Sequence, residues 1–380
     1  MASKRSPPRR IGAYEIADKI ASGGMGEVLL GYHQNLDRAC ALKRLVPPDD
    51  AEEDLLVELE ERFEREGKVL AQLSHQAICG VYDLFSWRGT SYLALEYING
   101  YDLRDLLKNG PLPVDVALIV GAHTADALQH AHMHGIIHRD VKPANIMISR
   151  SGEVKLMDFG IARGDELEVL TRTGMLVGTP TYMAPEVLRG EEAGVAADTY
   201  SLAATLYRCL AGEPMFPKGQ QPEVIYRNIL EGRIPHLRSV NPNVPRSLAS
   251  VVHKGLATEA TRRYKSSGDF RNALQDELAR FGTAAPAERL VQFLYADGHL
   301  TEDAAATVVQ PSVLKGASRD KPIRRTSSNS WIAATALAAS ITVVGLVGIW
   351  AANTGTADTV GGWVNEIVGS LATPPARAVP

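Results

Sequence analysis

His138-Arg-Asp-Val-Lys-Pro-Ala-Asn145, followed by Asp158-Phe-Gly160, is the stretch on which the reading of this chain turns. In short order it offers Asp140, Lys142, Asn145 and Asp158: two carboxylates, an ammonium group and an amide. Moving a phosphoryl group asks a protein for little covalent chemistry. It needs a hydroxyl held in line, compensation for the charge on the moving phosphate, and a divalent ion held by hard oxygen ligands. Asp140 can accept or orient a hydroxyl proton. Lys142 can reach the phosphate, and Asn145 and Asp158 offer oxygens to Mg2+.

Working outward towards the N-terminus, Cys40-Ala-Leu-Lys43 sets a lysine in an apolar strand, where an ammonium needs an anionic partner. Glu64 and Glu66, on the helix that follows, are the candidates; a lysine that merely snorkels to the surface is the bland alternative. Further upstream lies Ile20-Ala21-Ser22-Gly23-Gly24-Met25-Gly26-Glu27-Val28. Three glycines let a backbone approach phosphate oxygens and donate N–H groups to them. A plain glycine-rich hairpin turn would share that composition.

The surrounding pattern changes along the chain. Residues 14–46 alternate apolar and polar with glycines between, predicting twisted antiparallel strands. The acidic run over 47–62 reads as a solvated loop and helix face, and 62–73 as a helix. Two strands follow at 81–86 and 91–97, joined at Arg88-Gly89. From residue 100 the period becomes helical. Leu112–His134 carries an apolar stripe of Val116, Ile119, Val120, His123, Ala127 and Leu128. Helices are also predicted over Leu202–Leu210, Glu223–Leu230, Leu248–Leu256 and Asp269–Phe281. This order, strands then helices, gives an α+β class with two lobes and a cleft.

Together these motifs resemble the eukaryotic-type (Hanks-type) protein kinase family, in particular the bacterial membrane-anchored serine/threonine kinases. The resemblance implies a bilobal kinase domain over 14–281, with an N-lobe at 14–98 and a C-lobe at 99–281. It implies ATP with Mg2+, or Mn2+ in its place, as cofactors and proteins as substrates. Residues 20–28 are similar to the phosphate-covering loop, with Ala21 standing where the first glycine usually is. Lys43 matches the lysine on the α- and β-phosphates and Glu66 its helix partner, with Glu64 as runner-up. Leu95-Glu96-Tyr97-Ile98 resembles the hinge: backbone groups of Glu96 and Ile98 would bond adenine, and Val28, Ala41 and Met147 would sandwich it. Asp140 matches the catalytic base, Lys142 the phosphate contact, and Asn145 and Asp158 the metal ligands. Gly178-Thr179-Pro-Thr-Tyr-Met-Ala-Pro-Glu186 resembles the end of the activation segment. Glu186 would then pair with Arg263, and Asp198 would brace the catalytic loop. Lys142 and Thr179 match the serine/threonine branch. Arg139 implies a phosphate partner on the activation segment, for which Thr171 and Thr173 are the acceptors.

The His-rich stretch His123, His130, His132, His134 and His138 lacks Cys or carboxylate at ligand spacing, and it resembles the family's usual approach to the catalytic loop. Net charge of −4 points to no nucleic-acid partner. Three cysteines, Cys40, Cys79 and Cys209, form no CxxC pair and suit a reducing compartment. Residues 1–13 read as a disordered basic arm and 282–330 as a juxtamembrane linker with a short helix near Glu288–Tyr295. Trp331–Ala352 is a run of 22 residues without a charge. As a helix it would span about 33 Å, enough for a hydrocarbon core of about 30 Å. Lys315, Arg319, Lys321, Arg324 and Arg325 precede it, while Arg377 is the one basic residue in the tail at 353–380. That bias puts the kinase side in the cytoplasm. The expectation is a membrane-tethered kinase that autophosphorylates in trans through a transient homodimer. Two rival classes are a kinase-fold signalling scaffold, favoured by Ala21, and a small-molecule phosphotransferase, disfavoured by the substrate platform at 178–186.

Overall fold

The alternation over 14–45 is realised as antiparallel strands. A computed structural model describes residues 10–23, 26–46, 53–159, 180–216 and 219–300. Strands β1 (Arg10–Ile11), β2 (Tyr14–Gly23), β3 (Gly26–His33), β4 (Arg38–Leu45), β5 (Val81–Trp87) and β6 (Thr90–Glu96) form a six-stranded sheet in the order β1-β2-β3-β4-β6-β5. The turn between β5 and β6 has φ of 52° at Arg88 and 75° at Gly89, the positive pair that a tight two-residue hairpin demands.

Period-two geometry decides which side chains meet the cleft. Along β4, Cys40 and Leu42 turn to the outer face, where they pack with Ile11, Tyr14, Leu29, Tyr92 and Ala94 as a small separate core. Ala41 turns the other way, into the main core with Leu93 and Leu95 of β6. Lys43 is two residues past Ala41 and shares its face. Helix α1 (Glu53–Leu70) lies against that face. Phe63, Glu66 and Leu70 are buried at helical spacing. Gly67, beside Glu66, brings the backbone close to the sheet: a Cβ there would lie 3.0 Å from Leu93 Cδ1. Glu66 therefore sits inside the apolar stripe and Glu64 outside it.

Beyond β6 the chain enters β7 (Gly100–Asp102), which pairs with β8 (Ile146–Ser149), and β8 pairs with β9 (Val154–Leu156), forming a second sheet in the order β7-β8-β9. Helices follow at α2 (Leu103–Leu106), α3 (Val114–Met133), α4 (Pro185–Leu188), α5 (Val195–Ala211), α6 (Pro222–Leu230), α7 (Leu237–Val240), α8 (Arg246–Gly255), α9 (Ser267–Ala279) and α10 (Pro286–Ala296). Gly121 of α3 admits α5 and α9 closely; a Cβ there would meet Leu206 Cδ2 at 2.8 Å. The architecture is bilobal, strand-rich then helical, as the pattern predicts.

Boundaries differ where burial breaks the simple pattern. Helix α1 begins at Glu53, well before residue 62, because the acidic run is itself good helix former and suits a helix N-terminus. Helix α5 begins at Val195, because its first turns bury polar Asp198, Thr199 and Ser201 and so hide the apolar period. Ser201 Oγ donates to the Tyr182 carbonyl at 2.7 Å. At the N-terminus, Arg10–Ile11 is a strand on β2, with Ile11 buried. Within 282–330, residues 286–296 are helix, and Leu290, Phe293, Leu294 and Leu300 enter the main core. Among the described residues no helix is long and apolar enough to cross a membrane. Trp331–Ala352 lies outside them.

Candidate active site

The segment His138–Asn145 leaves α3 and is held from beneath. Asp198, fully buried on α5, accepts the backbone N–H groups of His138 and Arg139, each at 2.8 Å. His132 Nε2 lies 2.8 Å from the same carboxylate. Arg139 is thereby kept at φ 66°, a left-handed conformation that a non-glycine residue holds only when its surroundings impose it. Asp158, also left-handed at φ 49°, is the second such residue beside the cleft.

His138 ties the two motifs together. Its Nδ1 accepts from the Asp140 N–H at 3.2 Å, and its Nε2 lies 2.9 Å from the Met157 carbonyl. Burial holds its pKa below 6.5, so the ring is neutral. Neutral Nε2–H donates to Met157 while unprotonated Nδ1 accepts. The Met157 N–H donates in turn to the Asn145 carbonyl at 2.9 Å. Asp140 and Asp158 are thus carried on segments joined through one imidazole.

Lys142 Nζ donates to Asp140 Oδ2 at 2.7 Å. Asn145 Nδ2 donates to the same oxygen at 2.9 Å and to the Asp140 carbonyl at 2.8 Å. The Asn145 amide nitrogen is therefore committed, and Oδ1 is its remaining acceptor. Lys43 Nζ donates to Asp158 Oδ1 at 3.0 Å and stands 3.8 Å from Glu66 Oε1. Glu64 pairs instead with Lys68 one turn on, at 3.2 Å. Burial opposes the charge on Lys43, but the carboxylates of Asp158 and Glu66 outweigh it and raise its pKa. The Lys43 charge in turn holds Asp158 below 3.8 against the opposing effect of burial. The Asp158 side chain is 49% exposed. An ionised, accessible carboxylate is a donor suited to a hard divalent ion.

Around the cleft, β2 ends at Gly23 and β3 begins at Gly26, the two being paired. Ala21 faces Val28 in that ladder, and Ser22 faces Glu27. At Gly26 a Cβ would lie 2.9 Å from the Arg44 carbonyl. Glu27 holds Lys19 at 2.7 Å and Arg44 at 2.6 Å, fixing the base of the hairpin. Ile20 is exposed. Ala41 and Leu95 are buried, Val28 and Met147 partly so, and Ile98 is buried at the end of the six-stranded sheet. Gly24, Met25, Gly160, Thr171, Thr173, Gly178 and Thr179 lie outside the described residues.

Arg263 and Glu186 form a buried, two-pronged pair at 2.6 and 2.7 Å. The remaining Arg263 N–H groups reach the carbonyls of Ala257, Ala196 and Thr258. One contact was not read from the sequence: buried Lys155 donates to Glu96 Oε1 at 2.7 Å, and Glu96 Oε2 accepts the Gly80 N–H at 3.1 Å. The argument that singled out Lys43, an ammonium in an apolar strand, applies equally to Val154-Lys155-Leu156. The bond from His132 to Asp198 had no signal, because sequence spacing says nothing of a partner on another helix.

The protein kinase domain family matches residues 14–278, and the chain belongs to it. The family uses ATP with a divalent metal and acts on proteins. The chain is 37% identical over 355 residues to the serine/threonine-protein kinase PknB of Mycolicibacterium smegmatis, covering 88% of this chain and 54% of that protein. It is 38% identical to PknB of Mycobacterium leprae, over 74% of this chain and 45% of the relative. The chain thus spans about half the length of these relatives. Among solved structures, a point mutant of the PknI kinase domain of Mycobacterium tuberculosis aligns with a TM-score of 0.55 and 29% identity, over 73% of this chain and 99% of that one.

Proposed function

We propose that this protein transfers the γ-phosphoryl group of MgATP to Ser and Thr hydroxyls of proteins. The observation that carries the reading is that Lys43 of β4 meets Asp158, which follows β9, while Asp140, Lys142 and Asn145 are tied to the same strand end through His138. Asn145 Oδ1 and Asp158 would hold the divalent ion, Mg2+ with Mn2+ as substitute. When bound, the metal–nucleotide complex supplies the phosphoryl donor with its charge partly neutralised. Lys43, braced by Glu66, positions the α- and β-phosphates. Asp140 orients the acceptor hydroxyl and takes its proton, and Lys142 compensates charge on the moving group. The backbone of Glu96 and Ile98 binds adenine between Val28, Ala41 and Met147. Residues 20–28 cover the phosphates, and Ala21 is small enough to serve there. Glu186, Asp198 and Arg263 brace the machinery.

The kinase domain occupies 14–281. Residues 331–352 cross the membrane after the linker, leaving the kinase in the cytoplasm and 353–380 outside. The basic residues before the run support that orientation. Activation follows phosphorylation of Thr171 and Thr173 in trans, which transient pairing on a membrane promotes; their phosphates pair with Arg139. Full-length protein incubated with labelled ATP and Mg2+ should label Ser or Thr on itself and on a general protein acceptor. The Asp140→Asn protein should lose about 10²-fold or more in rate. Label persisting undiminished in Asp140→Asn would refute the assigned base, and absence of wild-type label beside intact nucleotide binding would favour the scaffold reading.

A further inference from the structure

The helix after the family-matched region is docked on the exit of the hinge. Residues 286–300 follow residue 278, where the protein kinase domain match ends. Their apolar side is Leu290, Phe293, Leu294 and Leu300, all buried in the main core. Such burial accounts for adherence but not for place. Place is set by polar contacts. Arg289 Nη2 donates to Asp115 Oδ1 at 3.0 Å at the start of α3. Asn109 Nδ2, just past α2, donates to Asp297 Oδ2 at 2.8 Å. Tyr101, the central residue of β7, donates its hydroxyl to the His299 carbonyl at 2.6 Å, and its ring lies 4.7 Å from the His299 imidazole. Arg150 closes the group: its backbone N–H donates to the Asn99 carbonyl at 2.8 Å, and its Nη2 to the Tyr101 hydroxyl at 3.3 Å. Gly152, in the turn from β8 to β9, has φ +83°, and a Cβ there would collide with the Ala287 carbonyl. The turn next to the metal-ligand strands is thus shaped to receive α10.

We propose that residues 286–300 act as a strap that fixes the hinge exit, with Tyr101 and Asn109 as positioning residues for the adenine end of the nucleotide. The inference rests on the kinase reading of the cleft. Tyr101 stands three residues beyond Ile98, whose backbone faces adenine in that reading. A backbone donor and acceptor bind a flat heterocycle only while their spacing is held, so a strap across Asn99–Tyr101 preorganises the adenine contact. The phosphate end is held by other elements and does not depend on it. The strap therefore governs nucleotide affinity and not the chemical step.

The test compares full-length wild type with Tyr101→Phe/Asn109→Ala and with Arg289→Gln. Adenosine binding is measured by calorimetry, and KM for ATP and kcat by steady-state transfer. The hinge-side variant should bind adenosine about three- to tenfold more weakly and raise KM for ATP alike, as expected for two weakened polar contacts. Its kcat should stay within about twofold, because groups that act only on the transition state are untouched. Arg289→Gln, which loosens the strap at its α3 end, should lower thermal stability and weaken adenosine binding less than the hinge-side variant does. Unchanged adenosine affinity in Tyr101→Phe/Asn109→Ala would overturn the proposal and leave α10 a structural helix; so would a kcat loss matching the KM rise. Adenosine binding needs no catalysis, so a wild type that binds adenosine but transfers nothing refutes the functional reading alone.

Discussion

Two ion-pair clusters in this molecule use the same chemistry to opposite ends. At Glu186–Arg263 the guanidinium is sealed: both prongs meet the carboxylate, the other N–H groups meet three carbonyls, and the arginine side chain is fully buried. At Lys43–Asp158–Glu66 the ammonium is shared unequally, at 3.0 and 3.8 Å, and solvent reaches Lys43 and half of Asp158. A completed buried pair resists disruption strongly and recognises nothing further. An open one contributes little to stability but keeps donors and acceptors for a ligand. The difference separates the part of the chain that holds the fold from the part we propose to meet the nucleotide.

The largest expected effect sets these clusters against each other. Arg263→Met should lower unfolding stability by about 3–5 kcal/mol, because Glu186 is left charged in the interior. Lys43→Met should lower it by clearly less, since the half-exposed Asp158 carboxylate is solvated once the ammonium is gone. Urea unfolding of both variants checks the contrast. Equal losses would erase the distinction.

The smaller effect concerns the neutral ring beneath the open cluster. His138 has its pKa depressed below 6.5 by burial. The folded state therefore resists a proton that the unfolded chain accepts. Its contribution to stability is complete above about pH 6.5 and is lost as pH falls below that value. Imidazole titration by NMR should place the His138 midpoint below 6.5. A midpoint at or above it would mean that burial does not hold the ring neutral and that its two-sided bridge from Asp140 to Met157 is not as drawn.

Much of this was legible in the sequence because the chemistry is local. Asp140, Lys142 and Asn145 lie within one loop, and their spacing alone brings them together. Lys43 was legible for a different reason: an ammonium in an apolar strand announces an anionic partner. Which glutamate answers was named by resemblance, Glu66 before Glu64, but not by spacing, since the two differ by a helix register that the packing of Phe63, Gly67 and Leu70 on the sheet decides. The start of α5 was hidden because its buried residues are polar and break the apolar period. The role of α10 was hidden because Leu290, Phe293 and Leu294 announce a buried face but not what it covers. Lys155 carried a readable signal and shows that one argument, applied to every apolar strand, reaches further than motif matching.

Manganese offers the most direct test of the open cluster, because its paramagnetism reports the ion itself. Full-length protein is titrated with Mn2+ and ATP, and bound metal is read by electron paramagnetic resonance. Wild type should bind Mn2+ in a nucleotide-dependent manner. Asp158→Asn should weaken that binding by about tenfold or more, whereas Glu186→Gln protein that remains folded should retain it. Equal nucleotide-dependent Mn2+ binding in wild type and Asp158→Asn would contradict the proposed role of Asp158 as a ligand of the nucleotide-bound ion.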